Sequence, residues 1–302
     1  MKRIRKCVVP VAGYGTRMYP ASKAVKKEFF PVVDVSSGRM RPILQCIIEE
    51  AVAAGIEEVC LVTQPGDDAV FRAYFSAELP PSWRGKLELR DWAKAETGHL
   101  AELGQRLAYV EQTVQEGFGH AVYAAREWVG DEPFMLMLGD HLYVSGEARR
   151  CAAQLLDAHA ALGGTVVAVE RAGEDQLPLC GTVRGEPLPA PPGAYRAAEF
   201  AEKPAVEYAR RSLRTPGLPE DRFLCFFGQY AIDAAVFDAL NHLIRHDIRE
   251  GGEIQFTAAL DLLRQQGAGA FALETRGHRL DTGVPLEYAR TLHELALRAA
   301  RG

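Results

Sequence analysis

Cys7-Val8-Val9-Pro10-Val11-Ala12-Gly13-Tyr14-Gly15-Thr16-Arg17-Met18-Tyr19-Pro20 carries the first apolar run of the chain into a glycine turn, and Lys27-Glu28-Phe29-Phe30-Pro31 follows shortly after. The run reads as a buried strand. A strand, a glycine turn and then cations is the order of a phosphate-binding loop. Gly13 and Gly15 permit positive φ and a close backbone approach, so that N–H groups can point at an anion. Arg17 adds a fork of donors matched to phosphate oxygens, and Lys27 a mobile point charge. Two commoner loops do not fit. A dinucleotide fingerprint needs a third glycine where Met18 stands, and a Walker loop ends on Gly-Lys-Ser or Gly-Lys-Thr. The two glycines alone would equally suit a tight strand-to-helix connection; Thr16-Arg17, Pro20 and the Lys27-Glu28 tail are what favour an anion site.

Outward from this loop, strand-like runs alternate with helical patterns. Lys6–Val11 reads as a strand, Ile43–Ala54 as a helix stopped by Gly55, and Glu58–Thr63 as a second strand. Ala69–Phe75 reads as a short helix, Leu107–Glu111 as a strand, His120–Trp128 as a helix, and Phe134–Leu138 as a strand apolar enough to lie centrally in a parallel sheet. Ala148–Ala161 and Thr165–Glu170 continue the alternation. This order predicts an α/β fold: a Rossmann-like, mixed, mostly parallel central sheet flanked by helices. In such sheets ligands bind beyond the carboxyl ends of the strands, where Gly13, Gln112 and Asp140 all fall. From about residue 178 the pattern changes to antiparallel strands, Gly181–Arg184 and Tyr195–Phe200, around a proline-rich excursion at Pro187–Gly193. Arg222–Ala231 reads as a strand, Ala234–Arg245 and Phe256–Gln266 as helices, and Pro285–Arg301 as a long terminal helix. Pro80–Gly104 is polar and reads as an insertion near the site. No linker separates these parts, so one domain over 1–302 is expected, with a first half (1–175), a smaller antiparallel half (176–284) and a C-terminal helix (285–302).

Composition sets limits on function. The 302 residues are 48% hydrophobic and 25% charged, with a net charge of −5, so nothing draws the whole molecule to nucleic acid or an anionic membrane. An anionic substrate would be met by locally concentrated Lys and Arg, as in the first thirty residues. No apolar run approaches the roughly 20 residues of a bilayer helix. The six cysteines are scattered without a Cys-x-x-Cys pair, which reads as buried reduced thiols and a cytoplasmic protein.

Further along, Asp140 ends an apolar strand in Leu138-Gly139-Asp140-His141, where a buried carboxylate would be costly unpaired. It reads either as a ligand for Mg²⁺, which takes one or two carboxylates with phosphate oxygens and water, or as a helix cap or turn residue. Gln112 precedes Gly117-Phe118-Gly119-His120-Ala121 and offers both a donor and an acceptor, which suits a pyrimidine edge or simply a solvated loop. Glu202-Lys203-Pro204 alone would be an ordinary solvated pair.

Taken as an ordered series, the loop, Gln112 with Gly117–Ala121, Leu138-Gly139-Asp140, Glu202-Lys203-Pro204, Gly252-Glu253-Ile254-Gln255-Phe256-Thr257 and Asp281-Thr282-Gly283 resemble the nucleotidyltransferases that make nucleoside-diphosphate sugars. The likeness is strongest to their uridylyltransferase branch, of which Gly-His-Ala is a marker, and His120 is expected to pack rather than act as a general base. The resemblance implies Mg²⁺ as cofactor, held by Asp140 and Asp281. It implies that Arg17 and Lys27 hold a triphosphate over Ala12, Gly13, Gly15 and Thr16, that Gln112 and Gly117 take the base, and that Lys203 meets the sugar phosphate. Gly181, Glu202 and Glu253 are the implied sugar-side residues. The implied reaction is UTP plus α-D-glucose 1-phosphate to UDP-glucose plus pyrophosphate, with small-molecule partners only and a homo-oligomeric assembly. A sister enzyme using dTTP or another sugar 1-phosphate, and a catalytically silent binding paralogue, are the alternatives. Three positions depart from the common family pattern: Ala258 replaces an aspartate, Cys180 an aromatic residue, and Glu116 a basic one, the last expected to raise negative potential near the triphosphate.

Overall fold

Continuous burial along the central strands makes a sheet covered on both faces. The structure, a computed structural model, describes residues 2–87 and 90–300. The strands are β1 (Lys6–Pro10), β2 (Pro31–Val33), β3 (Met40–Pro42), β4 (Glu58–Thr63), β5 (Leu107–Glu111), β6 (Phe134–Met137), β7 (His141–Ser145), β8 (Thr165–Ala172), β9 (Thr182–Pro187), β10 (Ala194–Ala201), β11 (Phe223–Ile232), β12 (Ala270–Glu274) and β13 (Gly277–Asp281). Nine of them form one sheet in the order β5-β4-β1-β6-β11-β8-β12-β10-β9. The run β5-β4-β1-β6 is wholly parallel. β11 then enters antiparallel to both β6 and β8, β12 runs parallel to β8, and β10 and β9 close the far side antiparallel. The sheet is therefore mixed, and the parallel part carries the glycine loop.

Alternation divides the core in two. Cys7, Val9, Met135 and Met137 face one layer with the helices Ile43–Ala53 and Cys151–Leu162, while Val8, Phe134 and Leu136 face the helices Phe118–Ala124, Val236–Arg245 and Phe256–Gln265. The helix Ile43–Ala53 buries Ile43, Leu44, Ile47, Ile48 and Ala51, one stripe at helical spacing. The two short ribbons do local work: β2 pairs with β3, and β7 with β13 in a register that sets Asp281 opposite His141. The terminal helix Pro285–Ala299 locks onto both, through Tyr288 Oη to the Pro31 carbonyl at 2.6 Å and Thr291 Oγ1 to the Asp281 carbonyl at 3.1 Å.

Several boundaries differ from the sequence reading. The single helix expected at His120–Trp128 is two, Phe118–Ala124 and Arg126–Val129, and the one expected at Ala148–Ala161 runs Cys151–Leu162. The polar stretch Pro80–Gly104 contains the helix Asp91–Gly104, whose buried side is only Ala93 and Leu103, too thin an apolar stripe to register as a period. Residues 88, 89 and 301, which fall in expected segments, lie outside the described residues. β2, β3, β7, β12 and β13 went unread, the first two because three residues show no alternation. No helix among the described residues is long and apolar enough to cross a membrane.

Phe134 is fully buried on β6 and stacks on Phe237 with ring centroids 5.3 Å apart. Phe134→Ala is expected to cost about 3–5 kcal/mol, the range for emptying an aromatic site in a close-packed core. Denaturant unfolding checks this, and an unmoved midpoint would refute the central packing of β6.

Candidate active site

Because β1, β4, β5 and β6 run parallel, the segments leaving their carboxyl ends gather on one edge. The loop after β1 is pinned there by the Val11 amide donating to the Val62 carbonyl at 2.8 Å and by Gln64 Nε2 donating to the Ala12 carbonyl at 2.9 Å. Of the two loop glycines only Gly15 has positive φ, at 66°, and it caps a short turn, Thr16–Met18. Gly13 instead supplies room: a Cβ there would lie 4.0 Å from Lys27 Nζ. The basic residues of the first thirty do not act as one cluster. Arg3, Arg5 and Lys6 stand at the amino end of β1, paired with Glu57 and Glu132, while Arg17 and Lys27 reach the site.

Asp140, just past β6, is the electrostatic centre. Lys27 Nζ donates to its Oδ2 at 2.7 Å, and Arg17 Nη2 lies 3.8 Å from the same oxygen. Burial alone would raise this carboxyl, but the Lys27 ammonium, with His141 and Arg17, overrides it and holds the group well below the usual carboxylate range. Asp281, at the end of β13, comes alongside because Thr282 binds the Asp140 carbonyl with both its amide and its hydroxyl, at 2.9 and 2.7 Å. Its own burial is likewise outweighed, by His141 and by the Gly283 amide at 2.6 Å, and its carboxyl is also lowered. A Cβ on Gly283 would fall 2.8 Å from Asp140 Oδ2, 3.0 Å from Arg17 Nη2 and 3.2 Å from Asp281 Oδ1. Glycine thus leaves open a gap bordered by two carboxylate oxygens and a guanidinium. The two carboxylate oxygens are donors of the kind a hard divalent cation such as Mg²⁺ takes, and Arg17 on the same border is suited to an anion beside it.

At the end of β5, Gln112 is 3% exposed, its amide bound to the Thr63 carbonyl at 2.8 Å. Its side-chain Nε2 lies 3.4 Å from the Gly117 carbonyl and 3.2 Å from His120 Nδ1. Gly117 adopts φ 110° and is packed by the Glu250–Gln255 segment; a Cβ there would meet the Glu253 Cβ at 2.7 Å. Glu253 packs against the Gln112 loop, and its carboxylate lies 3.4 Å from Gln255 Nε2 of its own segment. The expected excess of negative charge at Glu116 is offset by Arg249, whose Nη2 pairs with its Oε1 at 2.6 Å.

Glu202 and Lys203 follow β10. Thr257, which sequence reasoning quoted only inside a motif, donates its hydroxyl to Glu202 Oε2 at 2.5 Å. Lys203 is one of two non-glycine residues with positive φ among the described residues, at 41°, and its ammonium stays half exposed 3.7 Å from Glu202 Oε1. A strained backbone at a solvent-facing cation marks a position held for its side chain. Beside it, Glu202, Thr257, Ala258, Glu250 and Asp261 border a cavity of about 210 Å³. Gly181 has a packing reason to be glycine: a Cβ would strike the Phe226 ring at 2.4 Å.

Loop, carboxylate pair and flanking amide are those of a nucleotide-transferring enzyme, and the family model described as nucleotidyl transferase matches residues 6–296. The chain belongs to the nucleotidyl transferase family. It is similar to the UTP–glucose-1-phosphate uridylyltransferase 2 of Staphylococcus saprophyticus, at 34% identity over 99% of this chain and 94% of that one, and to the UTP–glucose-1-phosphate uridylyltransferase of Bacillus subtilis, at 33% over 99% and 93%. Among solved structures it is similar to a UDP-glucose pyrophosphorylase complexed with UDP-glucose, with a TM-score of 0.75, 26% identity and 99% of each chain covered. It is also similar to the UTP-bound enzyme of Acinetobacter baumannii, with a TM-score of 0.74, 27% identity and 96% and 93% covered.

Glu28, beside Lys27, is 1% exposed with Oε1 unpartnered, and burial pushes its carboxyl up from 4.5 to about 7. Between those values the folded chain keeps a proton that the unfolded chain releases, so stability falls as pH rises through that window and levels off above it. Glu28→Gln is expected to remove this slope, at most roughly 1.4 kcal/mol per pH unit. Urea unfolding of both proteins from pH 4.5 to 8 checks it; parallel curves would show that Glu28 is ionised when folded.

Proposed function

We propose that this chain catalyses UTP plus α-D-glucose 1-phosphate to UDP-glucose plus pyrophosphate. The observation that carries the reading is the Gly283 gap, where Asp140, Asp281 and Arg17 converge at the mouth of the glycine loop. The similarity to uridylyltransferases over nearly the whole chain supports the substrates. In this reading the loop amides of Ala12, Gly13, Gly15 and Thr16, with Arg17 and Lys27, hold the triphosphate, while Gln112 and Gly117 take the uracil. Glu202, set by Thr257, accepts hydrogen bonds from sugar hydroxyls, and Lys203 neutralises the sugar phosphate. An oxygen of that phosphate attacks the α-phosphorus in line, forming one P–O bond as the bond to the β-phosphate oxygen breaks, and pyrophosphate leaves with the electron pair. No proton is abstracted, so no general base is needed. Catalysis comes from holding two anions in line and offsetting their charge. Mg²⁺, held by Asp140 and Asp281, supplies neutralisation of phosphate charge when bound.

In this account Lys27 has two partners. It compensates Asp140 in the free protein, through the 2.7 Å contact, and would turn toward the triphosphate when nucleotide is bound. The nucleotide part is assigned to residues 1–175, the sugar-phosphate part to 176–284, and the reaction to the cytoplasm. Pyrophosphate release measured over a matrix of nucleoside triphosphates and sugar 1-phosphates with Mg²⁺ tests the reading; turnover restricted to another pair, or none, would overturn it.

Asp140→Asn keeps the side-chain shape and removes the charge, and is expected to abolish most turnover at saturating Mg²⁺ while the fold persists; near-normal turnover would refute the metal assignment. Lys203→Ala is expected to raise KM for glucose 1-phosphate and lower kcat with KM for UTP little changed, because charge compensation on the nucleophile grows toward the transition state. Separate titration of each substrate reads this out, and an effect confined to UTP would move Lys203 to the nucleotide.

A further inference from the structure

The hydrogen-bond chain behind Gln112 has no part in the reaction as written. Arg249 Nε pairs with Asp247 at 2.5 Å and Arg249 Nη2 with Glu116 Oε1 at 2.6 Å; the second Glu116 oxygen faces His120 Nε2 at 3.5 Å, and His120 Nδ1 faces Gln112 Nε2 at 3.2 Å. The Glu116 carboxylate can only accept, so it asks for a ring proton at Nε2, and an imidazole carrying that one proton presents a lone pair at Nδ1. A lone pair at Nδ1 in turn demands a donor, which fixes the Gln112 amide with its nitrogen toward His120. The second amide hydrogen is directed to the Gly117 carbonyl at 3.4 Å. Both donors of Gln112 are then taken inside the protein. Oε1 is left, to which no donor among the described residues reaches, and it can only accept.

We infer that His120, oriented by Glu116 and Arg249, is a positioning residue that makes Gln112 an obligate acceptor toward the base and thereby selects uracil over cytosine. The inference rests on the reading of Gln112 as the base-contacting residue. Uracil presents a donor at N3–H, which Oε1 can take. Cytosine presents a lone pair at N3, which would face the lone pairs of Oε1 unless the amide turned over. Turning it over would set the carbonyl oxygen against the His120 Nδ1 lone pair, so the imidazole forbids the arrangement cytosine needs. Selectivity of this kind works by repulsion of the wrong base as much as attraction of the right one. Thymine carries the same N3–H, so this device does not separate UTP from dTTP.

The test compares kcat/KM for UTP and CTP, with glucose 1-phosphate titrated in parallel. His120→Leu keeps an apolar body but loses the acceptor, and the UTP-to-CTP preference is expected to fall roughly tenfold, the size of one base-edge contact, with KM for glucose 1-phosphate unchanged. His120→Asn, whose amide oxygen can stand near the place of Nδ1 but which can also turn over, is expected to recover only part of the preference. Glu116→Gln, further out and able to present either amide face to the imidazole, is expected to lose part of it. In a Gln112→Ala background, His120→Leu should have no further effect. If Gln112→Ala loses the preference while His120→Leu and Glu116→Gln keep it, the positioning role is wrong and the base contact stands. If Gln112→Ala leaves the preference intact while glucose 1-phosphate turnover persists, the base contact itself is wrong. If His120→Leu weakens both substrates equally and asparagine fails to rescue, His120 only packs.

Discussion

Two carboxylates brought to one gap set the terms for everything around them. Asp281 stands opposite His141 across β7 and β13, and Thr282 ties its end of β13 to the Asp140 carbonyl, so two partly buried carboxylates meet. The surrounding groups answer that cost: Lys27 on Asp140, the Gly283 amide and His141 on Asp281, and Arg17 at the rim. The rest of the molecule holds this arrangement still. β1 and β6 bring the glycine loop and Asp140 together, and the terminal helix clamps β13 through Thr291.

The distribution of charge explains how a chain of net charge −5 can handle a triphosphate and a sugar phosphate. Its cations are sorted by position. Those at the amino end of β1 are spent on Glu57 and Glu132, and Arg249 is spent on Glu116 and Asp247. Arg17 and Lys203 keep exposed heads beside acceptors they do not saturate. Composition could not show this sorting, because pairing depends on which strand end a residue occupies.

Much of the fold was legible because the parallel strands are apolar along their length and the loop residues are chemically unambiguous. Cys7–Pro10, Glu58–Thr63 and Phe134–Met137 announce themselves, and strand order then puts Gly13, Gln112 and Asp140 on one edge. The ribbon β7–β13 could not be read, since His141 and Arg279 interrupt its apolar character, yet it decides where Asp281 stands. The close fit of Gly117 against Glu253 was hidden for another reason, since it joins two motifs more than a hundred residues apart. The bond from Thr257 to Glu202 likewise spans 55 residues of sequence, and no local pattern encodes it.

β11 belongs to both parts of the molecule at once. Its second half pairs with β6 on one side and β8 on the other, and its first half with β8 and β9. A chain cut between the two halves would leave β6 with an unpaired, fully apolar edge, the kind that invites another copy to add a strand. The halves are therefore not modules that evolution or an engineer can shuffle. Substitutions on either side of β11 act inside a frame that remains of one piece.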